Sequence, residues 1–142
     1  MTATLAGQCF CGACHYTVEA PAEGVVHCHC TMCRRLQGAG YATWVSVPAA
    51  AFSLSARDED VRRFAVSERT TRTFCARCGT VLHHVTRGYE GTIGLLAGTL
   101  REAPPLRPSG HYFCSDRAAW TVLPDDGLPL YGGESGFEPI TR

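Results

Sequence analysis

The order and spacing of the cysteines constrain this chain more than any other feature. Nine occur in 142 residues. Cys9, Cys11 and Cys14 read C-x-C-x-x-C, Cys28, Cys30 and Cys33 repeat that spacing, Cys75 and Cys78 form a C-x-x-C, and Cys114 stands apart. Thiols this dense belong either to a disulfide framework in a secreted protein or to metal and redox sites kept reduced. An odd count would leave a disulfide framework with one thiol over. The opening MTATLAGQCF has neither a basic flank nor a long apolar stretch, so no export signal is expected and the cytoplasm is the expected compartment. Metal–thiolate sites are therefore the expected organisers of the fold.

Length and composition narrow the setting. A chain of this length is sized for one domain, and with 45% apolar residues it can bury a core. No apolar run approaches the roughly 18 residues that a membrane-spanning helix needs. A formal net charge of zero argues against a nucleic-acid binder held by phosphate contacts. All 13 basic residues are arginine, which excludes a Schiff-base lysine from any mechanism.

Between the cysteine clusters the pattern is one of short strands and close turns. His15 to Glu19 alternates, Gly24 to Val26 leads into the second cluster, and Tyr41 to Val47 is aromatic and β-branched up to Pro48. Phe52 to Ser55, Val61 to Val66, Arg69 to Phe74, Val81 to Val85 and the apolar run Gly91 to Leu100 continue the series. The expected fold is mostly β. One short helix is predicted over Thr31 to Gln37, with Thr31 able to cap it and Gly38 able to end it. A single domain is expected over residues 1–130, with 131–142 a Gly-rich, weakly patterned tail.

The cysteine spacings translate into ligand geometry. A C-x-x-C on a tight turn brings two sulfurs to one point, and Gly79 after Cys78 supplies the permissive backbone. A C-x-C in extended chain puts both sulfurs on one face. Cys9 and Cys11 joined to Cys75 and Cys78 therefore close a four-thiolate site, which has no open position and reads as structural. The segment His27-Cys28-His29-Cys30-Thr31-Met32-Cys33 offers three thiolates. Three ligands and an open position is the arrangement of catalytic zinc, with Cys33 in the first turn of the helix, where the macrodipole favours a thiolate. The alternative is a second structural site completed by Cys14, Cys114 or a histidine. Cys14 shares a strand face with Tyr16 and Val18, so packing in the core is the favoured role, and Cys114 is read the same way. His27 and His29 flank candidate ligands and are possible outer partners of the site or proton carriers. His83 and His84 are adjacent in an expected strand, so at least one should face solvent.

Taken together, Gly7-Gln8-Cys9-Phe10-Cys11-Gly12, Cys28-His29-Cys30-Thr31-Met32-Cys33-Arg34 and Phe74-Cys75-Ala76-Arg77-Cys78-Gly79, with a later Trp120 in a D-R-A-A-W context, resemble the glutathione-dependent formaldehyde-activating enzyme (GFA/CENP-V domain) family. The resemblance covers roughly Ala6 to Leu123. It implies an Mss4-like zinc-bound β-sheet fold. It also implies a structural zinc on Cys9, Cys11, Cys75 and Cys78 and a catalytic zinc on Cys28, Cys30 and Cys33, the second open to partial occupancy. The implied activity is carbon–sulfur lyase chemistry, the condensation of formaldehyde with glutathione to S-hydroxymethylglutathione and its reverse. The implied partners are a small thiol, glutathione or an analogue, and an aldehyde. Two departures are visible: Cys14 stands where the family usually has a small apolar residue, and Arg34-Arg35-Leu36-Gln37 matches no known glutathione contact. Arg34 and Arg35 have the chemistry to pair with glutathione carboxylates, or are two solvated arginines. Two other functions compete: a non-catalytic zinc module that binds a partner, and a reductase related to methionine sulfoxide reductase B, for which Cys114 is the one candidate cysteine.

Overall fold

A computed structural model describes residues 4–142, so the first three residues of the expected domain lie outside the described residues. The elements run β1 (Leu5–Gln8), β2 (His15–Val18), β3 (Gly24–Cys28), α1 (Thr31–Gln37), β4 (Ala42–Pro48), β5 (Phe52–Ser55), β6 (Val61–Ala65), β7 (Thr70–Cys75), β8 (Val81–Thr86), β9 (Thr92–Leu96), β10 (His111–Tyr112), β11 (Leu130–Gly132) and β12 (Glu138–Ile140). The protein is mostly β with one short α-helix, as the turn-rich sequence requires. The chain forms two compact units, one from the residues up to Glu23 with Val45–Leu106, the other from Gly24–Trp44 with Arg107–Arg142.

In the first unit β1, β2 and β5 form an antiparallel three-stranded sheet. The alternation in β2 decides its faces. Cys14, Tyr16 and Val18 are buried while His15 and Thr17 are exposed, the period-two pattern of a half-buried strand. The Tyr16 hydroxyl is satisfied by Thr99 Oγ1 at 2.7 Å, which a buried phenol needs. The antiparallel run β6-β7-β8-β9 stacks further apolar residues inward, and Leu82 and Leu95 are fully buried. Opposite Thr73 and Phe74 the register skips Leu82, a bulge that places one extra residue in β8 just across from the approach to Cys75.

His83 and His84 meet expectation only in part. His83 is buried, with its ring 4.9 Å from that of Phe52. His84 is half-buried over Gly94, where a Cβ would meet its imidazole. His83 faces inward, and His84, on the opposite face of β8, lies in the space that Gly94 leaves and stays partly exposed.

In the second unit the strand order is β12-β11-β10-β3-β4, with β10 parallel to both β3 and β11 and β12 antiparallel to β11. Strand β11 begins at residue 130 and β12 lies inside the stretch 131–142. A strand of three residues is too short to show an alternation, and the glycines around it read as loop. Helix α1 has the predicted bounds and ends at Gly38 in the left-handed region, with φ 61°. Its cap differs from expectation. Cys30 is the N-cap and its Sγ accepts from the Cys33 amide, leaving Thr31 as the first helical residue.

Candidate metal centres

The sulfurs of Cys9, Cys11, Cys75 and Cys78 lie within 4.8 Å of one another, and so do those of Cys28, Cys30 and Cys33. Each group can hold a metal ion. These are the two sets of residues that spacing alone suggests.

The first group is assembled by two similar turns. At one, the Gly12 amide donates to the Cys9 carbonyl at 3.2 Å and Gly12 adopts φ 81°; at the other, the Gly79 amide donates to the Cys75 carbonyl at 2.9 Å and Gly79 also adopts φ 81°. An L-residue with a side chain pays for that left-handed conformation, whereas glycine adopts it freely. The loops are joined where the Phe10 amide donates to Thr80 Oγ1 at 3.1 Å. Sulfur separations are 3.6 Å for Cys9–Cys11 and 3.7 Å for Cys11–Cys75. The edge of a zinc–sulfur tetrahedron with bonds of about 2.3 Å is about 3.8 Å, so the donor set fits zinc.

Backbone amides also point at these sulfurs. Cys14 N–H donates to Cys9 Sγ at 3.3 Å, and the amides of Arg77 and Cys78 donate to Cys75 Sγ at 3.4 and 3.5 Å. Such bonds favour the thiolate over the thiol. At Cys78 burial acts to raise the thiol, but the Thr80 hydroxyl at 3.2 Å and nearby amides outweigh it and bring it to about 5. At Cys11 the Ala13 amide acts to lower the thiol, yet burial and the sulfurs of Cys9, Cys75 and Cys78 push it up to about 11. At Cys75, too, burial is outweighed by amide hydrogen bonds, so Cys75 and Cys78 ionise readily while Cys11 resists, as expected when several negative charges would share one small space.

Cys14 sits beside this group without joining it. It is fully buried and its thiol donates to the Asp60 carbonyl at 3.3 Å. Burial and the neighbouring Cys75 push it up to about 12. Packing is its role, in line with the shared face of β2.

The second group is built on the end of β3 and the start of α1. Cys33 is buried, while Cys28 and Cys30 are half-buried. The indole N–H of Trp44, from β4, donates to Cys33 Sγ at 3.5 Å. The neighbouring Cys30 and Cys33 thiols, together with burial, push Cys28 upward. A hydrogen bond from Cys28 pulls Cys30 down, but Cys33 and burial outweigh it. At Cys28 and Cys30, crowding of like groups outweighs any pull from the helix end, and a cation is the natural means of ionising all three.

Histidines surround this loop. His29 and His111 are fully buried, and their rings meet through His29 Nε2 and His111 Nδ1 at 2.9 Å. His111 Nε2 donates to Asp126 Oδ2 at 2.8 Å. His27 stacks on His111 with centroids 4.7 Å apart, and its Nδ1 bonds Thr43 Oγ1 at 2.8 Å. Burial lowers His29 to about 4 and also lowers His27, and the repulsion that a second positive ring would meet beside His111 adds to both shifts. The hydrogen bonds from His111 and the Leu128 amide hold Asp126 down at about 2. His111 and Asp126 were not legible as site residues. The parallel pairing of β10 with β3 sets His111 opposite His27, and no spacing in the chain signals it.

The remaining candidates fall outside both groups. Cys114 is fully buried, its thiol donates to the His111 carbonyl at 3.5 Å, and burial pushes it upward. Arg34 donates from Nη2 to the Asp116 carbonyl at 3.1 Å, and Arg35 is exposed. Trp120 is 71% exposed and is a surface residue. Among the described residues no helix is long and apolar enough to cross a membrane.

Comparison with known proteins bears on the fold and the family. The fold is similar to the crystal structure of a Rhodobacter sphaeroides protein solved as a structural-genomics target, with a TM-score of 0.56 and 24% identity over 70% of this chain and 91% of that one. The family described as glutathione-dependent formaldehyde-activating enzyme matches residues 4–116. With that match spanning well over half its length and both thiol clusters inside it, the chain belongs to the glutathione-dependent formaldehyde-activating enzyme family.

Proposed function

We propose that this protein is a zinc-dependent carbon–sulfur lyase. It joins a small thiol, glutathione or an analogue, to formaldehyde or a related aldehyde, and it releases the two in reverse. In this reading Cys9, Cys11, Cys75 and Cys78 hold a structural zinc, and Cys28, Cys30 and Cys33 hold a catalytic one. The observation that carries the reading is numerical: four thiols converge in one group and three in the other. Three protein ligands leave a coordination position for substrate. Membership of the family supports the substrate class.

In the forward direction the thiol sulfur adds to the carbonyl carbon. One C–S bond forms, the C=O π bond becomes a C–O single bond, and the thiol proton ends on the new hydroxyl, so nothing is oxidised or reduced. Zinc bound at the three thiols supplies Lewis acidity and a lowered thiol pKa. The chain's own groups prepare that place. The Cys33 amide donates to Cys30 Sγ and the Trp44 indole to Cys33 Sγ, both favouring charged sulfur. Half-burial of Cys28 and Cys30 leaves the loop reachable. Arg34 and Arg35, in the turn that also carries Cys33, are the candidates to receive glutathione carboxylates. A sulfoxide-reductase role would need an accessible, acidic thiol at Cys114, and burial there gives the opposite.

The test is exchange NMR of formaldehyde with glutathione. Zinc-loaded protein should speed hemithioacetal equilibration above the spontaneous rate, and Cys30→Ser should abolish the effect while the protein stays folded. A fully loaded, folded protein with no acceleration would defeat the lyase reading. Screening other small thiols would then separate a different substrate from a non-catalytic zinc module.

A further inference from the structure

The chain from half-buried Asp126 through the buried rings of His111 and His29 has a direction that the chemistry of its partners fixes. Asp126 offers the His111 ring only acceptor oxygens, so His111 Nε2 carries the proton in their 2.8 Å bond. His29 Nδ1 has no acceptor within reach, so the His29 proton sits on Nε2 and is donated to His111 Nδ1 in the 2.9 Å bond between the rings. His29 Nδ1 is left as a bare lone pair. It is a fully buried atom that no hydrogen bond satisfies. Ring packing holds this tautomer in one orientation. Tyr41 lies with its centroid 4.6 Å from His29, and His27 stacks on the far partner His111.

His29 is also the residue between Cys28 and Cys30. Its backbone amide is tied to the Tyr112 carbonyl at 2.9 Å, so both its main chain and its side chain are anchored to the segment carrying His111. We propose that Asp126 and His111 are positioning residues for the second thiol group: they lock His29 in one tautomer and rotamer, and through it fix the separation and direction of Cys28 and Cys30. This rests on the reading of that group as a metal site. The role is that of the outer hydrogen-bond partners that orient ligands around a bound ion, here reaching the ligand segment through the residue between two ligands.

Asp126→Asn gives a sharp test because the other carboxylate oxygen is already committed. Asp126 Oδ1 accepts the Leu128 amide at 3.0 Å. An asparagine must keep its oxygen toward that amide and turn its NH₂ toward His111 Nε2. Both rings then have to reverse, with His111 protonated on Nδ1 and His29 on Nδ1. Long-range ¹H–¹⁵N correlation on ¹⁵N-histidine-labelled full-length protein reads these positions directly, with or without zinc. Wild type should show His29 protonated at Nε2 and bare at Nδ1, and Asp126→Asn should show the reverse.

Chelator competition supplies the second readout. Asp126→Asn should lower zinc retention at Cys28, Cys30 and Cys33 by about 10- to 100-fold, as loss of such partners does, and leave the more slowly released zinc of the four-thiol group unchanged. A wild-type His29 protonated at Nδ1 overturns the proposal even if no variant folds. Reversed tautomers with unchanged zinc retention overturn it as well. A wild-type protein that takes up only one zinc defeats the metal-site reading itself, and with it the positioning role, whatever the tautomers.

Discussion

At the scale of single residues, each sulfur is distinguished by what approaches it. Cys9 and Cys75 are fully buried and receive amide hydrogen bonds, so a serine there forfeits a ligand inside the folded core. Zinc binding at a structural four-thiolate site is folding energy on the order of 10 kcal/mol. Cys75→Ser should therefore lose one zinc and unfold at ambient temperature. Cys33→Ser should lose a different zinc and keep its strand content. Circular dichroism with zinc analysis checks this, and equal unfolding in both variants would erase the distinction between the sites. Cys114→Ala should cost about 1 kcal/mol in a thermal melt and leave thiol–aldehyde exchange at the wild-type rate. A loss of that activity would bring the reductase reading back. Residue identity made the two thiol groups legible, since C-x-C and C-x-x-C have few other uses. It left Asp126 and His111 illegible, because a histidine and an aspartate 15 positions apart carry no spacing signal.

At the scale of elements, the turns that present the grouped thiols depend on backbone as much as on sulfur. Gly79 follows Cys78 at φ 81°, and a Cβ there meets no neighbouring atom, so the cost of Gly79→Ala is conformational. It should be about 1–2 kcal/mol, seen as a lower unfolding midpoint of the zinc-loaded protein. A normal midpoint would mean that the turn tolerates other backbone angles. Gly38→Ala at the end of α1, with φ 61°, should cost a similar amount without altering the four-thiol site. The strands with clear alternation or a β-branched run were legible: β2, β4, β5 and the β7–β8 hairpin. Helix α1 was legible from its punctuation, although its cap is a thiol instead of the expected hydroxyl. Strands β1, β10, β11 and β12 are two to four residues long, and pairing partners define them where pattern does not.

For the molecule as a whole, buried histidine sets part of the acid response. Burial lowers His83 from 6.5 to about 4, with Arg63 and His84 adding to the shift. The unfolded chain takes up a proton near 6.5 that the folded chain refuses until about 4. The stability this protects is fully present above the unfolded value and is lost as pH falls between those limits. It amounts to about 3 kcal/mol from the size of the shift. His83→Gln should flatten the stability-against-pH curve of the zinc-loaded protein between pH 6.5 and 4 relative to wild type, measured by urea unfolding. Parallel curves would show that His83 does not control the window. The sequence by itself determined a mostly β chain, two groups of thiols at ligand spacing and the family they signal, because each of these rests on local periodicity or on residues a few positions apart. The shared face of β2 already favoured packing for Cys14; only the tertiary structure decided that it lies against the first group, that His83 is buried, and that His29, His111 and Asp126 form one chain of hydrogen bonds. Those facts depend on which strands lie side by side, and strand pairing is a property of the folded backbone that residues far apart in sequence cannot announce.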